Sequence, residues 1–177
     1  SGADIIDVGA ESARTNRPPI SPDEEICRLL PFLNGFSQAV EAAAPRDADQ
    51  VFPPLLSVNT WRPEVAGPVL EQAGDILNDM GALPDDANAK ICARTGAALL
   101  IMHSVGAPKE KHTHVGYEDV MAELDGFFAE KIAVARTAGV SSESLILDPG
   151  VDFAKQAPDN LRVLRECHSL THFGHPV

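Results

Sequence analysis

A chain of 177 residues, 44% of them apolar, is about one domain long and has enough apolar mass for a real core. Its 14 Lys and Arg against 26 Asp and Glu give a formal net charge of −12, which argues against nucleic acid and anionic membrane surfaces as partners. An anionic small substrate is still allowed, because a few local cations can dominate a pocket. No apolar run approaches the roughly 18 residues of a membrane span and no signal peptide opens the chain. Cys27, Cys92 and Cys167 lack zinc or CxxC spacing and read as reduced thiols, so a cytoplasmic protein is expected.

Asp4 to Val8 reads as a strand, with the apolar pair Ile5-Ile6 running into Asp7, and a polar loop from Gly9 to Pro19 follows. Ser21, Pro22 and Glu24 have the spacing of a capping box. The helix they open carries Ile26, Leu29 and Leu30, and helical character resumes from Phe36 to Ala44. After a polar, proline-bearing loop from Arg46 to Pro54, the strand Leu55 to Val58 runs into Asn59. A helix over Glu64 to Ala73, a strand over Asp75 to Asn78 and a helix over Asp86 to Thr95, closed by Gly96, come next. The most apolar strand, Ala97 to Met102, ends on His103. A basic, histidine-bearing loop from Lys109 to Gly116 leads to the longest helical pattern, Tyr117 to Ala138. Its stripe is Val120, Leu124, Phe127, Phe128 and Ile132, and Gly139 stops it. Leu145 to Leu147 is a strand ending on Asp148-Pro149-Gly150, Asp159 to Leu170 a helix, and Pro176-Val177 the start of another strand.

Short apolar runs alternating with helices are the pattern of parallel strands buried on both faces. A polar residue closing each run falls where an α/β barrel builds its active site. The expected fold class is therefore α/β, a TIM (β/α)8-type barrel. A closed barrel needs eight strands and about 250 residues, and an open array would leave two long apolar edges. Five strands and a sixth beginning thus read as the middle strands 2–6, with the chain expected to be incomplete at both ends. No linker or low-complexity stretch divides residues 1–177, so a single domain is expected.

His168, His172 and His175 have near-helical spacing, and His112 and His114 form an HxH. Histidine pairs at such spacing bind metals, but no carboxylate lies in phase with them. They read as solvated histidines, and no metal ligand is assigned.

The strand-end segments resemble dihydropteroate synthase. Asp4 to Arg14 (DIIDVGAESAR) is similar to the second strand and following loop of that family, with its DVGGESTRPG string. Ser57 to Thr60 resembles its SVDT, Ile76 to Asp79 its IND, Met102-His103 with Gly106 and Pro108 its MHxxGxP, and Leu147 to Lys155 its DPGxGFGK. The resemblance runs over the whole chain in order, and it implies a pterin-binding barrel. Such an enzyme is a transferase that condenses a hydroxymethyl-dihydropterin pyrophosphate with para-aminobenzoate, releasing pyrophosphate. By the same resemblance Asp148 and Asn78 hold the pterin, together with Asn59, while Met102 pads its face. Asp7, Asn59 and Asp148 are the catalytic candidates. Ser12, Arg14 and Phe153 meet the pyrophosphate and the aminobenzoate, and Lys155 has the weakest claim. The chemistry fits: one carboxylate accepts the paired amino and ring N–H donors of a pterin, and an amide matches a mixed edge. The resemblance also implies Mg2+, with ligands outside this chain, small-molecule partners, and a chain able to form a homodimer.

Departures from the family strings stand at informative places. Asn59 replaces the aspartate of SVDT. Ala10, Ala13 and Thr15 replace a glycine, a threonine and a proline, and Asp152 and Ala154 replace the glycines around Phe153. A neutral amide stabilises a developing cation less well than a carboxylate, and losing one oriented electrostatic partner costs on the order of 10²–10³ in rate. Asn59 therefore keeps a non-catalytic pterin-binding paralogue in view. A methyltetrahydrofolate-dependent methyltransferase serving a corrinoid protein is the other alternative, since its strand-end Asp and Asn residues also hold a pterin.

Overall fold

The computed structural model describes residues 2–45, 48–49, 51–110 and 115–177. His112 and His114, the HxH pair, lie outside the described residues. Among the described residues five parallel strands alternate with five α-helices. The strands are β1 (Ile5–Gly9), β2 (Leu55–Asn59), β3 (Ile76–Asp79), β4 (Ala98–Met102) and β5 (Leu145–Asp148). The helices are α1 (Pro22–Glu41), α2 (Pro63–Gln72), α3 (Ala87–Thr95), α4 (Val120–Thr137) and α5 (Ala157–Glu166). Every strand pairs in parallel with its neighbour in the chain, in the order β1-β2-β3-β4-β5. The strand ends agree with the sequence expectation to within a residue or two, and the fold is α/β, an arc of a barrel.

Strand alternation divides the sheet into two faces. Val8, Val58, Leu77, Leu99, Ile101, Leu145 and Leu147 project to the outer face. There they form one core with Leu29 and Leu33 of α1, Val65 and Val69 of α2, and Leu124 and Phe128 of α4. The registers Asp7↔Ser57, Asn59↔Asn78, Asn78↔Leu100 and Met102↔Asp148 put those residues together on the opposite, inner face. The buried Ile76 and Met102 lie there too, outside the helix-packed cluster.

Three elements differ from expectation. Helix α1 is continuous through Pro31, where the sequence suggests a break. A proline removes one intrahelical bond, but Leu29 and Leu33 are buried on one stripe and the Phe32 and Phe36 rings pack 5.9 Å apart, which carries the helix across. Ser21 does cap it, accepting from the Glu24 N–H at 3.2 Å, while the Glu24 carboxylate turns to Arg28. Helix α5 ends at Glu166 and tightens into a 3-10 turn over Cys167–Phe173, anchored by buried Leu170. Pro176 and Val177 are not strand, although the Pro176 carbonyl already accepts the Leu147 N–H at 2.9 Å. No helix is long and apolar enough to cross a membrane among the described residues.

Candidate functional site

Asp7 organises the inner face. Its Oδ1 accepts from the Ser57 hydroxyl at 2.6 Å and from Asn78 Nδ2 at 3.2 Å, and its Oδ2 accepts from Asn59 Nδ2 at 3.2 Å. An ionised carboxylate can only accept, so both amides must turn nitrogen toward Asp7. Their carbonyl oxygens then face away from it, as acceptors for a ligand's N–H groups. The strand register explains the grouping, because Asp7 sits opposite Ser57, and Asn59 opposite both Gly9 and Asn78. Gly9 leaves the room this needs: a Cβ there would stand 3.2 Å from the Cβ of Asn59. Ser57 escaped the sequence reading, although its place two residues before Asn59 in a strand puts it on the same face.

Asp148 ends β5 one inward-facing position further along, beside Met102. Its Oδ1 accepts the Gly150 N–H at 2.7 Å and so fixes the turn that follows. Gly150, with φ +65°, passes so close to β4 that a Cβ would lie 2.1 Å from the His103 carbonyl oxygen. Met102 is only 2% exposed under this turn, which leaves little of its thioether for a ligand.

The remaining candidates line a separate cleft of about 980 Å³ at the same end of the strands. Ser12, Ala13 and Arg14 form one wall, Phe153, Ala154 and Lys155 another, and Lys109 lies between. Thus Ser12, Arg14 and Phe153 come together, but Asp7, Asn59, Asn78 and Asp148 are not in this cleft's lining. Asp152 and Ala154, where the related family has glycines, keep left-handed backbones with φ of 68° and 51°, a conformation that costs an L-residue about 1–2 kcal/mol.

His103 does not belong to the site. It points to the outer layer, 1% exposed, with its ring edge-on to Phe127 at 4.8 Å. The Lys155 ammonium donates to His103 Nδ1 at 2.8 Å and to the carbonyls of Gly150 and Phe153 at 3.0 and 3.1 Å. Since an ammonium only donates, Nδ1 is the bare nitrogen and Nε2 carries the hydrogen. Burial, reinforced by the charge of Lys155, holds His103 down to about 4. Burial likewise lowers Lys155 to about 8, opposed by the charges of Asp148 and Asp159. Asp79, next to Asn78, is wholly buried on the outer face and bonds to Gly81 N–H at 2.7 Å and Asn88 Nδ2 at 2.9 Å. Burial raises it to about 6 against those bonds. Of the C-terminal histidines, His168 is exposed and His172 faces Asp125 at 3.1 Å on the surface, but His175 is buried, against the expectation of a solvated side chain. Among the described residues no three His, Cys, Asp or Glu side chains gather as a metal site.

Comparison with known proteins fits this geometry. The family model described as "Pterin binding enzyme" matches residues 1–177. The chain belongs to the pterin-binding enzymes. It is 36% identical to the dihydropteroate synthase of Escherichia coli K12 over all of this chain and 58% of that protein. With the enzyme of Synechocystis the identity is 32%, over 99% and 57%. The chain therefore spans a little under three fifths of these two curated relatives. Among solved structures it superposes on the dihydropteroate synthase of Anaplasma phagocytophilum with bound 6-hydroxymethylpterin-monophosphate. The TM-score is 0.85 and the identity 30%, covering 99% of this chain and 66% of the other. The Thermus thermophilus enzyme in complex with 4-aminobenzoate gives 0.81 at 36% identity, over 99% and 62%. These neighbours carry the barrel fold of which this sheet is an arc. The corrinoid methyltransferase and non-catalytic readings are not favoured by these relatives, which are synthases.

Proposed function

We propose that the protein is a dihydropteroate synthase, joining 6-hydroxymethyl-7,8-dihydropterin pyrophosphate to para-aminobenzoate with loss of pyrophosphate. The observation that carries the reading is the inner-face cluster in which Asp7 holds Asn59 and Asn78 with their oxygens outward, on the same face of the sheet as Asp148. Asp148 accepts the paired amino and ring N–H donors of the pterin, a charge-assisted contact. Asn78 and Asn59 accept from the donors that remain, the second ring N–H and the other amino hydrogen. As pyrophosphate leaves, positive charge builds at the pterin methylene. Asp7, within 3.2 Å of the Asn59 amide, supplies the negative charge that the amide lacks. Arg14 and Ser12 meet an anionic partner at the cleft, and Phe153 gives the aminobenzoate ring an apolar wall. Residues 1–177 act as one pterin-binding unit. The partners are small molecules, and a cytoplasmic homodimer using magnesium completes the reading. The test is to incubate the intact protein with both substrates and measure dihydropteroate and pyrophosphate; pterin binding without condensation would reject the synthase.

A further inference from the structure

Four charged side chains from three separate loops and a helix form a closed network beneath the cleft. Glu11 follows β1, Glu25 lies in the first turn of α1, Arg62 caps α2 and Lys109 follows β4. Arg62 Nη1 bonds the carboxylates of both Glu11 and Glu25, the latter at 2.5 Å. The Lys109 ammonium bonds the other oxygen of Glu11 at 2.9 Å, and the carbonyl oxygens of Ser12 and Pro18 at 3.1 and 3.2 Å. The two carboxylates are nearly sealed, at 2% and 1% exposed, and the two cations balance them. Burial opposes the charge on Glu11, but bonds from Lys109 and Arg62 outweigh it and hold the carboxyl below its ordinary range.

Such a network is weak evidence of stabilisation, because desolvating the ions offsets their attraction. What it fixes is position. Among the described residues the three acceptors of Lys109 lie between Glu11 and Pro18, the segment that carries Ser12 and Arg14, although Lys109 is 98 residues away from Glu11 in the chain. Lys109 also lines the cleft with Arg14 and Phe153. Arg62 holds Glu11 from behind, and the remaining Glu11 oxygen is aimed at the ammonium.

Resting on the synthase reading, we propose that Lys109 is a positioning residue. Through Glu11 and the Ser12 and Pro18 carbonyls it holds the Arg14 loop in the shape that receives the anionic second substrate. It acts on aminobenzoate capture and leaves the pterin edge alone.

The experiment is Lys109→Met in the intact protein, which keeps the stem and removes the charge and donors. The KM for para-aminobenzoate should rise about tenfold or more, with kcat within about threefold and the calorimetric affinity for 6-hydroxymethylpterin unchanged. Lys109→Arg, whose fork still meets Glu11 and one carbonyl, should recover most of the loss. Tryptic cleavage after Arg14 should be about fivefold faster in Lys109→Met and near normal in Lys109→Arg. An unchanged KM overturns the proposal, as does a loss shared equally by pterin binding and thermal midpoint. If the unaltered protein fails to condense the substrates, the synthase reading falls. The loop claim is then decided by trypsin, and equal cleavage rates overturn it.

Discussion

The two faces of the sheet treat adjacent polar residues in opposite ways. Asn78 and Asp79 are neighbours, yet the first turns to the inner face and bonds Asp7 while the second is sealed under the helices with Gly81 and Asn88. Met102 and His103 split the same way, one beside Asp148 and the other against Phe127 and Lys155. On the outer face the protein itself engages polar groups such as His103 and Asp79. On the inner face the amides of Asn59 and Asn78 are bonded, among the described residues, through their nitrogens to Asp7, and on the proposed reading their oxygens take the pterin. Alternation along a strand, more than residue type, separates a ligand group from a structural one.

Swapping the two roles gives the largest expected effects. Asp148→Ala should weaken pterin binding at least about 100-fold, since a carboxylate with two ligand donors contributes about 3 kcal/mol, with a modest fall in thermal midpoint from the lost Gly150 bond. His103→Ala should do the reverse, losing about 2–4 kcal/mol of stability through a void beside Phe127 and a Lys155 ammonium short of an acceptor, at unchanged pterin affinity. Calorimetry and thermal melts on both variants check the pair, and a matching loss in both columns would erase the distinction.

Asn59→Asp tests the inner face alone. It sets a second carboxylate 3.2 Å from Asp7, where two like charges push one pKa upward. Condensation should slow and its rate should acquire a new titration step in a pH profile. A faster variant would instead favour a paralogue that has lost activity.

Asp79 tests the outer face through acid. Its folded pKa of about 6 lies above the ordinary 3.8, so its contribution is complete below pH 3.8 and is lost as pH rises through about 6, on the order of 3 kcal/mol. His103, at about 4 against 6.5, works the other way: its contribution is present above pH 6.5 and is lost as pH falls toward 4. Asp79→Asn removes the first and keeps the second, so the variant should lose stability more steeply on acidification than the unaltered protein. Denaturant melts from pH 4 to 7 measure the difference.

The smallest effect lies in the turn after β5. Asp152→Gly and Ala154→Gly relieve left-handed backbone at φ 68° and 51°, and each should change stability by no more than about 1 kcal/mol in the favourable direction, with pterin affinity untouched.

Periodicity and turn chemistry made the strand and helix order legible, because each element is defined by residues close in the chain. Asp7, Asn59, Asn78 and Asp148 were legible as strand-end polar residues. His103 has the same sequence signature, and only register tells it from the others. The Glu11–Arg62–Glu25–Lys109 network was not legible, since its partners are brought together by the sheet across long stretches of chain. Continuity of α1 through Pro31 depends on what Leu29 and Leu33 pack against, which local rules do not contain.

The sequential strand order has a kinetic consequence. Each strand finds its partner on the segment synthesised just before it, so the sheet can grow one strand at a time behind the ribosome. The growth steps are not equal. Contacts between β2 and β3 span 19 residues and those between β1 and β2 span 50, which makes the second closure costlier by about 1 kcal/mol in chain entropy. The inner-face cluster waits on that costlier step, because Asp7 lies on β1 while Ser57 and Asn59 lie on β2 and Asn78 on β3.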